Sequence, residues 1–477
     1  MIALVLLVVP LAGALLLTAT RPRARHAVHL AITVVTVAAA AGLVMTVARA
    51  GVVTTLDGAV RVDVLSAWTA ALVTLVAAIA GLEAVREDRA AAAERRFFPL
   101  FHVFVFTMLA AVATDDVGIM WVAVEGTTLA SVFLVNAERS RESLEAAYKY
   151  LLICSVGIAL AFVGTVLVYF GDVRAAGHGE HALRWTALME MAPALPPRLL
   201  QVVFIFVLVG YGTKAGLVPM HTWLPDAHSE APASVSALMS GVLLAVGLYA
   251  VVRFKTVLDV SGGGAFGSRL LVAVGLASVG VAAFFLWGSA NFKRMLAYSS
   301  IEHLGLACLG LAFGGAWGIA GAILHVGNHA LAKSTLFVLA GRIRAAYGSV
   351  EIARVRGLRG AMPLTGGGFL VAMLALMGLP PFGLFVSEIM IVGAGIAGGH
   401  VGATSVAVAL LVLAFGGLLR SLHRMLDGAA PASVQETSTW SSMSPAVLAL
   451  GLLVLTGVAW PPGLAAALDR IVALVRP

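Results

Sequence analysis

The sequence predicts an all-α, polytopic membrane protein with about fourteen transmembrane helices, and composition, hydropathy and the length of the apolar runs support this class. Of the 477 residues, 60% are hydrophobic and only 12% are charged, whereas soluble domains contain about 25% charged residues. The mean hydropathy of +0.99 excludes a water-soluble enzyme. The apolar runs have the length of about 20 residues that crosses a bilayer as a helix, while a transmembrane β-barrel would show alternating segments of about ten residues.

The apolar runs divide the chain into fourteen predicted spans joined mostly by short loops. The spans lie near residues 2–19, 27–48, 63–83, 97–113, 117–136, 147–170, 199–217, 232–253, 269–287, 293–313, 317–341, 363–398, 402–426 and 445–460, and the twelfth is interrupted. No basic residues precede the first span, so we expect it to be retained and not cleaved as a signal peptide. We expect the longest loop, residues 171–198, to form an ordered excursion on the surface.

The basic residues follow membrane topology and do not form a nucleic-acid-binding surface. The net charge is +7 and the pI about 9.7, but no loop holds more than five Lys and Arg residues. Alternate loops place nineteen of these residues on one side and ten on the other, and the side richer in Lys and Arg is normally cytoplasmic. We therefore expect a chain in the lipid bilayer of the cell (inner) membrane, with both termini on the outer (periplasmic) side and no nucleic-acid partner.

The chain offers no pattern that binds a cofactor. Its two cysteines, Cys154 and Cys308, lie within apolar runs, which excludes a disulfide framework and a four-cysteine iron–sulfur site. The glycine-rich segment at residues 261–264 lacks the context of a dinucleotide-binding motif. We therefore expect no cofactor, no metal and no quinone site in this chain, and no electron transfer by the chain itself.

Several ionisable residues lie inside predicted spans, where a charge costs several kcal/mol and indicates a functional site by default. They are Glu125, Lys214, Glu302, His303, Lys333 and Glu388. The alternative is a set of buried ion pairs that only hold helices together, but a scaffold gains little from buried ions compared with apolar packing. Their distribution over separate spans therefore favours an ion pathway.

One span carries a stripe of titratable residues. His325, His329 and Lys333 recur every four residues with Asn328 beside them, so they lie on one helix face, about 6 Å apart per turn. Imidazole titrates near neutral pH and a desolvated lysine can approach it, so the stripe predicts a proton relay. Two histidines at this spacing can also bind zinc, but the lysine one turn away would repel the cation.

Two spans are interrupted by Gly and Pro, at residues 210–219 and 377–383. Each interruption lies near a charged residue, Lys214 and Glu388 respectively. Broken helices in corresponding parts of two halves are typical of inverted-repeat transporters, and unwound backbone within a membrane needs water or polar partners. A simple proline kink is the alternative for either interruption.

The segment between the seventh and eighth spans contains three alternating polar residues, Asp226, His228 and Glu230. These residue types can ligate metals, but we favour a structural role for this segment. In that interpretation Ser229 or Glu230 satisfies the free amides of the next helix, and Pro232 lies in its first turn.

The same region carries a family resemblance. The segment KAGLVPMHTWLPDAHSEAPASVSALMSG resembles the central signature of the antiporter-like proton-channel subunits of respiratory complex I, multi-subunit Na+/H+ antiporters and membrane-bound hydrogenases. The later segments LAYSSIEHLGL, HVGNHALAKSTLFVLAG and MGLPPFGLFVSEIMIV are similar to later blocks of that family, in order over residues 95–425. Within the family, SSIEH, EAAYKYLLICSVGIALAFVGT and NHALAKS most resemble the F-type subunit of hydrogenase-4.

The resemblance implies fourteen helices that include two inverted five-helix repeats, each with one broken helix. It divides this chain into three N-terminal transmembrane helices at residues 1–94, a first repeat at 95–258, a second repeat at 259–428 and a C-terminal transmembrane helix at 429–477. The chain ends soon after its last span, which resembles an internal or hydrogenase-type subunit without a long lateral helix.

The resemblance also implies a proton pathway. Glu125 and Lys214 would pair across the first half-channel. The central hydrophilic axis would consist of His303, His329 and Lys333, and Glu388 would be the terminal charged residue on the twelfth span. The predicted pathway as a whole comprises Glu125, Lys214, His228, His303, His325, His329, Lys333 and Glu388. The chain departs from the family at Ala245, where some complex I members carry a lysine. The link between the two halves would then run through water, His228 or another group, or the first half is altered.

The implied function is proton translocation within a hydrogenase-4-like or complex I-like oxidoreductase. Its partners would be other membrane subunits and, through them, a soluble Ni–Fe or Fe–S arm whose redox chemistry separates the Glu125–Lys214 pair. The alternatives are a subunit of a secondary Na+/H+ antiporter, a subunit for proton-coupled uptake of inorganic carbon with a soluble zinc partner, and a structural anchor with a vestigial channel. Ala245 favours the last of these, and the complete set of other charges opposes it.

Overall fold

The computed structural model describes residues 1–87, 91–176 and 182–476, and most of them are helical. The helices are α1 (Ile2–Ala19), α2 (Pro22–Ala50), α3 (Val64–Ala84), α4 (Ala91–Ala113), α5 (Val117–Val135), α6 (Arg141–Ala176), α7 (Trp185–Met191), α8 (Pro197–Lys214), α9 (Trp223–Glu230), α10 (Ala233–Leu238), α11 (Leu244–Val260), α12 (Gly264–Gly288), α13 (Phe292–Phe313), α14 (Gly315–Tyr347), α15 (Leu358–Ala361), α16 (Pro363–Leu376), α17 (Gly383–Ala397), α18 (Val401–Leu426), α19 (Trp440–Val458) and α20 (Pro462–Val475). The remaining regular elements are the strands β1 (Val53–Thr55) and β2 (Val60–Val62), a 3₁₀ turn at Ala192–Ala194 and a π-helical turn at Met239–Leu243.

The helices account for the fourteen predicted spans. Among the described residues, twelve helical segments are long and apolar enough to cross a membrane, counting α10 and α11 together as Ala233–Val260. The other two crossings are α14, with 33 residues and the polar stripe, and the consecutive shorter apolar helices α16 and α17. The chain is therefore a multi-pass membrane protein, as predicted.

Asp and Asn side chains define where several helices begin. Asp63 accepts a hydrogen bond from the Ser66 amide at the start of α3, and Asp116 accepts two from backbone amides at the start of α5. Asn291 does the same for the first turn of α13. These caps satisfy backbone donors that the helices leave free, which is a preference readable from the sequence.

The start of α10 is capped differently from the prediction. Neither Ser229 nor Glu230 caps it: the Ser229 hydroxyl donates to the carbonyl of Pro225. The cap comes from Glu87, whose carboxylate accepts hydrogen bonds from the amide (2.8 Å) and the hydroxyl (2.6 Å) of Ser234. The prediction was wrong because Glu87 is distant along the chain and reaches α10 only through the tertiary fold.

The loops predicted to share one side do lie together. The Arg344 guanidinium binds Glu138 (2.6 and 2.7 Å). Arg342 binds Glu83 and the hydroxyl groups of Ser438, before α19, and Ser442, in its first turn. We call this side, which holds most of the Lys and Arg residues, the basic face. Arg89, counted among its cations, lies outside the described residues.

We call the other side of the bundle the opposite face. It holds two elements that were not predicted from the sequence. The hairpin β1–β2 connects α2 to α3. The C-terminal helix α20 buries Leu468 and Ile471 against α14, α3 and α11, while Arg470 donates to the carbonyl of Ala48 (2.7 Å). The predicted surface loop at 171–198 includes the short helix α7, and its residues 177–181 lie outside the described part of the chain.

Burial identifies the centre of the bundle. The most apolar stretch of α10–α11 is completely buried and that of α13 is 94% buried, and the residues of α14 from Gly318 to Ala340 are buried as well. Peripheral helices instead expose large apolar side chains such as Phe133 and Phe284, as expected for surfaces that face lipid. The polar stripe of α14 therefore lies in the protein interior.

Candidate proton pathway

Lys214 and Glu125 are connected through a hydroxyl group and not by a direct ion pair. The Lys214 ammonium donates to Thr128 Oγ1 (2.8 Å) and to the Tyr150 hydroxyl (2.9 Å). Thr128 in turn donates to Glu125 Oε2 (3.0 Å), and Ser155 donates to Glu125 Oε1 (2.8 Å). The predicted pair is therefore brought together, but Thr128 lies between the two charges.

The interruption after α8 places the lysine at a helix end. α8 ends at Lys214, and the chain turns at Gly216, whose φ of +73° suits glycine. On the neighbouring helix, Gly247 approaches the backbone at Ala215 so closely that a Cβ atom would lie 2.7 Å from the Ala215 nitrogen. The interruption and this glycine together hold Lys214 within the bundle.

His228 lies on the short re-entrant helix α9 and is completely buried. Its ring stacks on Phe337 of α14, with centroids 4.7 Å apart and an interplanar angle of 20°. Neither ring nitrogen has a hydrogen-bond partner among the described residues. Because a buried polar group without a partner is costly, this imidazole is a candidate for a transient role in proton transfer.

Lys333 is held by the facing helix α13. Its ammonium donates to the carbonyl of Leu296 (2.5 Å) and to the hydroxyl of Ser299. Glu302 of α13 is also buried, acts electrostatically on Lys333, and has one carboxylate oxygen without a partner among the described residues. As in the first half, neutral oxygen atoms are the direct ligands of the buried ammonium.

Two histidines form a directional hydrogen-bonded pair. His303 Nδ1 lies 3.0 Å from His325 Nε2, and His325 Nδ1 lies 2.9 Å from Ser387 Oγ. The Ser387 hydroxyl donates its proton to the carbonyl of Leu384, so it accepts from His325. This assignment makes His325 Nε2 the acceptor of a proton from His303. The His329 ring lies 5.4 Å from the His303 ring, which extends the row toward Lys333.

Glu388 completes this row at the second interruption. Its carboxylate lies directly against Gly378, where a Cβ atom would overlap it and where φ is +66°. One ligand atom from each of His303, His325 and Glu388 lies within 4.8 Å of the others. Groups at this spacing can exchange protons and could also surround a cation, so the expected absence of a metal remains a prediction.

The region around Ala245 is apolar at that position but contains a hydroxyl pair nearby. The π-helical turn Met239–Leu243 lies between α10 and α11, and such turns are often found at functional sites. Ser240 in this turn lies 2.7 Å from Ser300 of α13, and Ser300 is adjacent to the Lys333 ligand Ser299. Hydroxyl groups thus approach the central row from the helix that lacks the lysine.

The charged and titratable residues of this site were predicted from the sequence, but the hydroxyl groups that bind them were not. The missed groups are Thr128, Tyr150, Ser155, Ser299 and Ser387. A sequence signal existed for Thr128, which is three residues from Glu125 and hence on the same helix face. The other partners come from separate helices. Asp226 and Glu230 do not join His228 in a cluster: Asp226 binds Lys149 (3.1 Å) and Arg294 on the basic face.

Comparison with known proteins supports the predicted family. Residues 114–414 match the family described as "NADH:quinone oxidoreductase/Mrp antiporter, TM". The hydrogenase-4 component F homolog of Methylacidiphilum infernorum is 40% identical over 334 residues, which are 70% of each chain. Hydrogenase-4 component B of Escherichia coli is 30% identical over 349 residues, which are 70% of this chain but only 50% of that protein.

The fold agrees with this result. A chain in the structure of the membrane-bound sulfane sulfur reductase, an archaeal respiratory membrane complex, superimposes with a TM-score of 0.88 and 23% identity over 99% of this chain and 97% of that chain. The family match covers more than half of the sequence and includes most of the candidate pathway. The chain therefore belongs to the NADH:quinone oxidoreductase/Mrp antiporter transmembrane family.

Proposed function

We propose that this chain is the proton-translocating membrane subunit of a hydrogenase-4-like or complex I-like oxidoreductase complex. The observation that carries the proposal is the row from Lys333 through His329, His303 and His325 to Glu388. Its lysine and three histidines are buried, and the His303 and His325 rings are hydrogen-bonded at 3.0 Å. The relatives named as hydrogenase-4 components support the type of complex. The two inverted repeats, at 95–258 and 259–428, belong to the same proposal and are supported by the two interrupted helices.

The Glu125–Thr128–Lys214 group in the first half of the chain controls when a proton is released. The Thr128 hydroxyl accepts from Lys214 and donates to Glu125, so a negative Glu125 stabilises the ammonium form across one hydroxyl group. Movement or neutralisation of Glu125 removes that stabilisation and favours release of the Lys214 proton. A change in the partner subunits therefore alters the protonation of Lys214 without any contact with the redox centre.

The row of histidines in the second half of the chain conducts the proton. A proton that reaches His303 is relayed when His303 passes its Nδ1 proton to His325. Glu388, beside both rings, is the acceptor at the end of the row. We propose that the basic face is cytoplasmic, that both termini are periplasmic, and that the driving force comes from a soluble Ni–Fe or Fe–S arm of the complex.

The first experiment is gentle affinity purification from native membranes followed by mass spectrometry and metal analysis. The proposal expects nickel or iron–sulfur subunits to co-purify. Redox-driven proton uptake is then measured in inverted vesicles with the electron donor that the purified complex oxidises. We expect Lys214→Met and Glu388→Gln to lower it roughly tenfold or more, the usual size of a lost proton-transfer group. The matched control is Lys149→Gln, an exposed lysine of the basic face.

Wild-type pumping in either variant, with the complex fully assembled, would refute the proposed pathway. The second candidate function is a subunit of a secondary Na+/H+ antiporter, which the cation-sized cluster of His303, His325 and Glu388 favours. Co-purification of small membrane proteins alone, without metal, would support this candidate. The decisive assay would then be a sodium-dependent pH change in vesicles.

A further inference from the structure

A charged cavity lies on the basic face. It has a volume of about 990 Å³ and is lined by residues that include Glu83, Glu87, Glu138, Lys293, Arg342 and Arg344. We call it the vestibule. Its three carboxylates are all engaged, with Arg342, Ser234 and Arg344 respectively. The vestibule is therefore polar and large enough to hold water, and Lys293 is one of its lining residues.

Lys293, the first residue of the tenth predicted span, is a buried cation. Its side chain is 1% exposed, and its ammonium donates to the carbonyls of Ser229 (3.0 Å) and Ala231 (2.7 Å). No carboxylate in the described part of the chain lies within ion-pair distance of it. Lys293 thus repeats the arrangement of Lys214 and Lys333, in which neutral oxygen atoms surround a buried amine.

The choice of lysine at this position is informative. The chain has only five lysines, and the other 26 of its 31 basic residues are arginines. Arginine remains charged in proteins, whereas a buried lysine can lose its proton. Three of the five lysines, Lys214, Lys293 and Lys333, are almost completely buried and bonded to uncharged oxygens. Two of these are pathway residues, so the third fits the same chemistry.

The position of Lys293 connects the vestibule to the central row. The Ser229 carbonyl that it binds belongs to the residue after His228. Lys293 and Lys333 both act electrostatically on the His228 ring. That ring is completely buried, stacks on Phe337 of the helix that carries Lys333, and has two nitrogens without partners among the described residues.

We propose that Lys293 and His228 form a second proton entrance, which leads from the vestibule to Lys333 without passing through Lys214. The inference rests on the proposed function and deepens it. The Lys293 ammonium transfers a proton to one nitrogen of His228, and the imidazolium releases a proton from its other nitrogen toward Lys333. The neutral Lys293 amine then takes up a proton from water in the vestibule. These three steps move one proton and restore the charges of both side chains. This route makes a lysine at position 245 unnecessary.

The competing explanation is structural, because Lys293 also ties the end of α9 to α13. Two variants separate the explanations. Lys293→Arg keeps the charge and the donors but does not release a proton, and Lys293→Gln keeps a donor and removes the charge. A tether is maintained by at least one of them, whereas a proton carrier is lost in both. Lys149→Gln is the matched control, since Lys149 also binds α9, through Asp226, but is exposed.

The test measures proton uptake from the basic face with the purified complex in liposomes, driven by a potassium–valinomycin diffusion potential and followed with a pH-sensitive dye. We expect uptake to fall roughly tenfold or more in both Lys293 variants and to remain near wild type in Lys149→Gln. The combination of Lys214→Met with Lys293→Gln should lower uptake further than Lys214→Met alone, because the two entrances are separate. Wild-type uptake in Lys293→Arg or Lys293→Gln would overturn the second entrance.

A labelling experiment does not depend on the folding of the lysine variants. Both natural cysteines are buried, so Ala345→Cys places one reactive thiol in the wall of the vestibule. A membrane-impermeant, positively charged thiol reagent should slow uptake in this variant and not in Ala353→Cys, an exposed position of the same face outside the vestibule. Equal effects at both positions would contradict the entrance.

The two proposals fail in different ways. Loss of uptake in Glu388→Gln with normal uptake in both Lys293 variants would overturn only the second entrance. Normal uptake in Glu388→Gln would overturn the proposed function and this inference with it.

Discussion

Thr128→Val tests whether the hydroxyl between Lys214 and Glu125 couples the two charges. The substitution keeps the branched shape of the side chain and removes its oxygen. Lys214 then loses one of its two side-chain hydrogen bonds (2.8 Å), and Glu125 loses one of two (3.0 Å). Tyr150 and Ser155 retain the others.

The size of the effect follows from the charges involved. A hydrogen bond to a charged group contributes about 1.5–3 kcal/mol, and about 1.4 kcal/mol corresponds to a factor of ten in a rate. The loss of the bond to Lys214 alone therefore predicts a decrease in redox-driven pumping of roughly 10- to 100-fold. The ammonium would still be buried, but its stability would no longer respond to Glu125.

The chain supplies a matched control one residue away. Thr127 is equally buried, and its hydroxyl donates only to the carbonyl of Val124 in its own helix. Pumping in inverted vesicles is compared for Thr128→Val, Thr128→Ser and Thr127→Val at equal amounts of assembled complex. We expect a large loss only in Thr128→Val. Equal pumping by Thr128→Val and Thr127→Val would refute a coupling role for the hydroxyl.

Two further predictions concern the second interruption and the opposite face. Gly378→Ala adds a Cβ atom that overlaps the Glu388 carboxylate at a φ of +66°, so we expect it to impair proton uptake. The control is Gly367→Ala, whose Cβ atom would meet no neighbouring atom within 4 Å, and we expect normal uptake there. Asp63→Asn removes the carboxylate that binds the buried Arg253 (2.7 Å). The uncompensated cation should lower the free energy of unfolding by about 3–5 kcal/mol. Thermal unfolding in detergent measures this difference, with Asp57→Asn, at an exposed position, as the control. Burial alone would raise the pKa of Asp63, but the guanidinium of Arg253, with backbone and further side-chain contacts, holds it below its ordinary value. The stabilisation is therefore complete above the unfolded-state pKa of about 4 and is lost as the pH falls through the lower folded-state pKa. The difference from Asp63→Asn should shrink in acid, and a difference that grew below pH 4 would contradict this account.

The ligands of the three buried lysines explain how a membrane interior can hold groups that change protonation. Direct carboxylate partners would hold an ammonium strongly and resist its deprotonation. Hydroxyl and carbonyl oxygens solvate Lys214, Lys293 and Lys333 instead. The carboxylates of Glu125 and Glu302 act from a greater distance, where a small movement changes their influence on the amine.

Arginine residues on both faces, in contrast, bind carboxylates directly. Arg253 binds Asp63, Arg342 binds Glu83 and Arg344 binds Glu138, each at 2.8 Å or less. These pairs join helices that are distant in sequence and keep a permanent charge. The pathway uses lysine and these ion pairs use arginine, because a buried lysine can lose its proton whereas arginine stays charged.

The spans, the helix caps at Asp63, Asp116 and Asn291, and the interruptions at 210–219 and 377–383 could be read from the sequence. Each depends on residues within about one or two turns, because apolar length, side-chain capping and the backbone preferences of Gly and Pro are local properties. The stripe from His325 to Lys333 was predictable for the same reason, since a helix places every fourth residue on one face.

Contacts between separate helices were decided only by the tertiary structure. The Thr128 bridge, the His303–His325 pair, the Glu87 cap and the burial of Lys293 all join elements that the sequence separates by 20 or more residues. Lys293 stands at the start of the tenth predicted span, next to a loop, and its burial is not readable there. Hydropathy averages over neighbours in the chain, whereas burial depends on neighbours in space. The sequence thus determined which charges enter the membrane, and helix packing determined which neutral atoms surround each of them.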